Sequence, residues 1–182
     1  MSAPSPGHDP RLSGTTSPLR RLDQALFDAV AEEARSTPRL RRNFNLHAEP
    51  DRVQRFLNVL QPGTYVRPHR HLRQSPGEGF ECFVVLQGSL GLLVLDGNGE
   101  VREQVRLDAE GPVRGVDLQE GTYHTLVALA PDTVMFEIKQ GPYEPTRDKD
   151  FFTRFPPEGT PEAVAQEAAW RQRFASMGGD PL

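Results

Sequence analysis

Between Gly63 and Gln140 the chain is a succession of short runs, each closed by a turn signal, and this constrains the fold more than any other feature. The runs are "TYVRPHRH", "FECFVVLQ", "LGLLVLD", "EVREQVRL", "GVDLQ", "TYHTLVAL" and "TVMFEIKQ". Gly88-Ser89, Asp96-Gly97-Asn98-Gly99 and Pro131-Asp132 separate several of them with residues that favour tight turns. An earlier run, "RRNFNLH", alternates Phe44 and Leu46 against Asn43, Asn45 and His47. About eight short strands at such spacing predict an all-β sandwich, jelly roll or barrel, with a small barrel as the natural container.

The flanks read differently. Residues 1–17 are rich in Pro, Ser, Gly and Thr and carry too little apolar surface to offset the entropy of ordering, so a flexible tail is expected there. Over 18–38, Leu19, Leu22, Leu26, Val30 and Ala34 recur at helical spacing and predict an amphipathic N-terminal helix. "DRVQRFLNVL", residues 51–60, predicts a second short helix: Val53, Phe56, Leu57 and Leu60 share a helical face, and Asp51 stands at its start. The barrel is expected over 39–157. Residues 158–182 form a C-terminal helix and tail, in which Thr160-Pro161 reads as a cap followed by proline at the first helical position. Trp170 and Phe174, four apart, are expected to dock on the outside of the barrel.

Composition removes some function classes. A formal net charge of -4 without a dense basic run lacks the electrostatic footprint of a nucleic-acid binder. No apolar run approaches the roughly 18 residues of a membrane span. The single cysteine, Cys82, cannot form an internal disulfide, and "MSAPSPGHDP" has neither the charged nor the apolar region of a secretory leader, which together predict a cytoplasmic protein.

The chemistry concentrates around "RPHRH". In an unbroken strand Tyr65, Arg67, His69 and His71 point to one side, so two imidazoles converge. A His-x-His pair alone is more often a pair of ordinary core or surface histidines. Here Glu81 follows at the entry to the next strand, and "GTYHT" brings His124 from a distant part of the chain.

The spacing Gly63-x5-His69-x-His71, then Glu81-x6-Gly88, then Gly121-x2-His124 resembles the two motifs of the cupin superfamily, a jelly-roll barrel (double-stranded β-helix) with a metal inside. More narrowly, "YVRPHRH", "VLQGSLGLLVLD", "GTYHTLVAL" and "FEIKQGPYEPTRDKDF" resemble the WbuC family of cupin-fold metalloproteins over about residues 40–160. The resemblance implies His69, His71, Glu81 and His124 as metal ligands. The sequence departs from the general motif in its long loop, "LRQSPGEGF", between His71 and Glu81. Glu78 is therefore an alternative carboxylate, although Glu81 keeps the distance to Gly88. Gln119 and Ala128 also replace a proline and an asparagine common in the second motif.

Three imidazoles and a carboxylate suit a divalent iron, manganese, nickel or zinc ion with positions left open for water or substrate. The resemblance implies a metal-dependent enzyme acting on a small molecule such as a sugar or sugar-nucleotide, of isomerase or epimerase type, in surface-polysaccharide metabolism. A non-catalytic metal-containing carbohydrate-binding module and an iron-dependent dioxygenase are the alternatives, and a homodimer is in keeping with the superfamily. Tyr65, Arg67, Asn45, His47, Glu137, Lys139 and Tyr143 are candidate ligand-binding residues beside the metal. Each also has a plainer reading, as a core tyrosine, a rim arginine, an edge-strand histidine or a solvated ion pair. Cys82, adjacent to Glu81, points to the opposite face of its strand and is expected to pack rather than react.

Overall fold

The computed structural model describes residues 19–72, 79–142 and 149–175. Among these, two helices and ten strands follow in the order α1 (Gln24–Ser36), β1 (Arg41–Asn45), β2 (Val53–Leu60), β3 (His69–Arg70), β4 (Glu81–Gln87), β5 (Ser89–Leu95), β6 (Val101–Asp108), β7 (Gly115–Leu118), β8 (Tyr123–Ala128), β9 (Thr133–Gln140), β10 (Asp150–Phe151) and α2 (Pro161–Ala175). The strands form two antiparallel five-stranded sheets, ordered β1-β2-β9-β4-β7 and β10-β3-β8-β5-β6.

The sheets face each other across a core that includes Leu60, Val66, Phe83, Leu90, Leu92, Leu107, Leu126 and Met135. Alternation decides which residues enter it. On β8, Leu126 and Ala128 turn inward while Val127 turns out toward α2. Neither sheet closes on itself, so the expected barrel is a double sheet with edges. Its corner elements are too short to carry a ladder around: β3 and β10 have two residues each.

Residues 51–60 hold the clearest difference from expectation, being the strand β2 and not a helix. β2 lies between β1 and β9, with Leu60 facing the inter-sheet core and Leu57 and Val59 packed under α1. A strand covered on both faces loses its alternation and reads as a continuous apolar run, which sequence periodicity alone cannot separate from a helix.

Both helices cover outer faces. Helix α1 is capped by the Asp23 carboxylate, which accepts from the Leu26 N–H at 3.1 Å, and it buries Phe27, Val30, Ala31 and Ala34. Leu19 and Leu22 precede it and are exposed. Helix α2 is capped by the Thr160 hydroxyl, which accepts from the Ala163 N–H at 3.2 Å. It seats Trp170 and Phe174 against Tyr65, Leu93 and Val127 on the outside of the second sheet. That docking depends on Gly91, where a Cβ would lie 2.4 Å from the Phe174 ring. No helix among the described residues is long and apolar enough to cross a membrane.

Candidate metal centre

The two sheets bring four side chains together at one end of the core. His69 on β3 stands directly opposite His124 on β8, with ring centroids 4.7 Å apart. His71 follows two residues after His69, its carbonyl fixed by the N–H of Gly121 at 3.0 Å. Glu81 opens β4 on the other sheet. Ligand atoms of His69, His71 and Glu81 all lie within 4.8 Å of one another. Glu81 Oε1 is 3.1 Å from His71 Nε2, and its Oε2 is 3.2 Å from His124 Nε2. All four residues are buried.

The outward nitrogens of two rings are spoken for. His69 Nδ1 lies 2.9 Å from the carbonyl of Arg67, and His124 Nδ1 lies 3.0 Å from that of Thr122. A carbonyl only accepts, so each Nδ1 carries the proton and each Nε2 keeps a lone pair aimed inward. Among the described residues neither His71 nitrogen has a well-aligned hydrogen-bond partner, although Nε2 lies within reach of Glu81. The Nε2 and the carboxylate oxygen approach each other without aligning as donor and acceptor, which is the relation of two ligand atoms converging on a common point.

Electrostatics favour the same protonation states. Burial, with the positive charge of Lys149 next, holds the His69 imidazole well below its usual range. Burial also lowers His124, against the pull of Glu81. For Glu81 burial acts upward, but His71, His124 and Lys139 outweigh it and bring the carboxyl down to about 2. Neutral imidazoles and an ionised carboxylate are what a divalent cation requires of its ligands. The donor set therefore fits a first-row divalent metal ion.

The inner wall of the first sheet adds Glu137 and Lys139, both buried. Glu137 Oε2 accepts from Asn58 Nδ2 at 2.6 Å. Burial and the neighbouring Glu81 push its carboxyl up to about 8. Lys139 sits opposite Glu81 across the β4–β9 ladder, its Nζ 5.7 Å from the Phe56 ring centroid.

The remaining sequence candidates lie at varying distance from this cluster. Tyr65 is on the far side of its sheet, stacked on Trp170 at 5.8 Å, with its hydroxyl donating to the carbonyl of Pro156 at 3.0 Å. The expected alternation from Tyr65 to His71 fails because only His69–Arg70 is strand. Arg67 is half-buried, with its guanidinium 5.5 Å from the ring of Phe151, the residue opposite His69 on β10. Asn45, half-buried on edge strand β1, stands opposite Phe56. His47 is turned to its own backbone: Nδ1 accepts from the Arg55 N–H at 3.0 Å and pins the end of the β1–β2 hairpin. Tyr143 and the alternative ligand Glu78 lie outside the described residues. Cys82 is half-buried, and burial followed by Asp117 pushes its thiol pKa up.

Asn58 and Gln54 were not legible as inner-wall residues while 51–60 was read as a helix. Read as a strand, Gln54, Phe56, Asn58 and Leu60 alternate onto the inner face together. Two surface grooves, of about 340 and 450 Å³, lie elsewhere, one beside Gln87 and Asp108 and the other beside Arg154 and Trp170.

Two facing antiparallel sheets flanked by helices make up a cupin-like fold, and the buried histidine and carboxylate cluster between them is a group of side chains able to hold a metal ion. Residues 22–107 match the sequence model of a family described as a domain of unknown function, DUF6016. The capsular polysaccharide assembling protein CapF from Staphylococcus aureus is similar in fold, with 21% identity and a TM-score of 0.50 over 60% of this chain and 29% of that one. The chain thus spans less than a third of the CapF chain. KdgF from Halomonas sp. aligns at 22% identity over 60% of this chain and 85% of its own, with a TM-score of 0.43. A cupin superfamily protein from Desulfitobacterium hafniense DCB-2 aligns at 18% identity over 55% and 76%, also at 0.43. No curated protein matches.

Proposed function

We propose that His69, His71, Glu81 and His124 bind one divalent iron, manganese, nickel or zinc ion, and that the protein is a metal-dependent enzyme of WbuC type acting on a small sugar or sugar-nucleotide by isomerisation or epimerisation. The observation that carries this reading is the convergence of imidazole Nε2 atoms on both oxygens of one buried carboxylate. Bound there, a divalent ion supplies Lewis acidity toward a carbonyl or hydroxyl oxygen.

The chain supplies the rest. The carbonyls of Arg67 and Thr122 fix the rings of His69 and His124, so the ligand geometry is set before anything binds. Glu137 holds a proton at its carboxyl near neutral pH, next to Glu81, and is placed to exchange it with a substrate oxygen or carbon. Asn58 orients that carboxyl through Oε2. Residues 39–157 act as one unit, because both walls of the site come from this span.

The test is proton NMR of the reconstituted protein in heavy water with a panel of hexose, uronate and nucleotide-sugar substrates. Exchange of a carbon-bound hydrogen for deuterium, beside a carbonyl and dependent on metal, is the expected result. Binding without exchange makes the protein a carbohydrate-binding module, and oxygen consumption with ferrous iron makes it a dioxygenase; either refutes the isomerase reading.

A further inference from the structure

The inner wall contains a row of polar side chains that metal binding does not explain. Register sets Gln54 on β2 opposite Lys139 on β9, and Lys139 opposite Glu81 on β4. The three therefore stand side by side on one face of the sheet, and all are buried, with Gln54 only 1% exposed. Two strand spacings, about 10 Å between Cα atoms, separate Gln54 from Glu81.

The Gln54 Nε2 is buried without a hydrogen-bond partner among the described residues. An amide in that position is destabilising relative to an apolar side chain of the same size. Space for it is kept by Gly141, where a Cβ would lie 2.9 Å from Gln54 Cγ and 3.2 Å from Nε2. A donor left unpaired on this buried polar wall points to an acceptor that arrives with a ligand.

Charge defines the ligand further. Lys139 is buried on the inner wall, and the Arg67 guanidinium stands over Phe151 at the edge of the histidine wall. These two cations outnumber the Glu81 carboxylate beside them, Glu137 holding its proton, so the wall favours an anionic ligand.

We infer that Gln54 determines substrate specificity: its carboxamide N–H donates to an oxygen at the far end of a small polyhydroxylated carboxylate whose near end meets the His69, His71, Glu81 and His124 cluster. This rests on the metal reading above and names its substrate class as sugar acids.

The experiment loads wild type and Gln54→Leu with nickel, measures metal content first, and then titrates each with D-gluconate and with D-glucitol by calorimetry. Both proteins should hold nickel equally. Wild type should bind gluconate at least about ten-fold more tightly than glucitol. The leucine variant should lose about ten-fold in gluconate affinity, the worth of one hydrogen bond, while melting about 2–4 °C higher. Gln54→Glu, which sets a negative charge in the same space, should weaken gluconate as well and serves if the leucine variant does not fold. Unchanged gluconate affinity in the variant that folds overturns the role of Gln54. Equal affinity for glucitol, or no gluconate binding by nickel-loaded wild type, overturns the anionic ligand. Wild type that takes up no nickel overturns the metal reading itself, and this is seen before any titration.

Discussion

Removing bound metal and varying pH should expose the opposed titrations of Glu137 and the histidines as a stability maximum near pH 6.5. Glu137 has a folded pKa of about 8 against an ordinary value of 4.5. Its contribution is fully present below 4.5 and is lost as pH rises toward 8, at about 1.4 kcal/mol per pH unit. His69 and His124 are lowered in the fold, so below pH 6.5 the unfolded chain takes up protons that the folded chain refuses. Over the range in which both rings stay neutral, two protons favour the unfolded state and the Glu137 proton favours the folded one. The net loss is then about 1.4 kcal/mol for each unit of acidification. Below pH 4.5 Glu81, whose pKa is about 2, adds a further proton to the unfolded side and the acid limb steepens. Asp96 and Glu158, both lowered, and Cys82, raised, titrate outside the window from 4.5 to 8.

The assay is urea unfolding of chelator-stripped protein at half-unit steps from pH 5 to 8.5. From pH 6.5 to 8, wild type should lose about 2 kcal/mol, and Glu137→Gln should lose none of it. A flat wild-type profile over that range, or an alkaline fall that survives Glu137→Gln, refutes the reasoning.

Other perturbations test separate parts of the account. Gly91→Ala forces a methyl onto the buried Phe174 ring and should cost about 1–3 kcal/mol by overpacking, read as a lower melting temperature; an unchanged melt would mean that α2 docks differently. His124→Ala should lose most bound metal, and full retention would remove this residue from the site. Glu81→Gln should lose metal while Glu78→Gln keeps it; the reverse pattern would transfer the ligand role to the loop carboxylate. Tyr65→Phe removes only the hydrogen bond to Pro156 and should leave metal affinity unchanged while lowering stability by about 1 kcal/mol in thermal unfolding.

The strands of the two sheets were largely legible because each run is short and bounded by turn residues. The grouping of His69, His71 and Glu81 was legible from the His-x-His spacing and from the distance of Glu81 to the Gly88 turn, although His71 lies beyond the two-residue strand β3. The misreading of β2 comes from burial on two faces. Covered by α1 outside and the inter-sheet core inside, β2 showed no alternation, so Gln54 and Asn58 were hidden inside an apparent helix. Tyr65 looked like a site residue because alternation was extended through Pro68, where the backbone is not strand. His47 looked available, but its nearest acceptor and donor are on its own hairpin, a local bond that spacing does not reveal.

The most direct test of the central claim is elemental analysis of the purified, untagged protein by plasma mass spectrometry, with the His69→Ala/His71→Ala double variant beside it. The account predicts a near-stoichiometric first-row divalent metal in wild type, lost in the variant. Wild type and variant equally metal-free, even after reconstitution with iron, manganese, nickel and zinc, would contradict it.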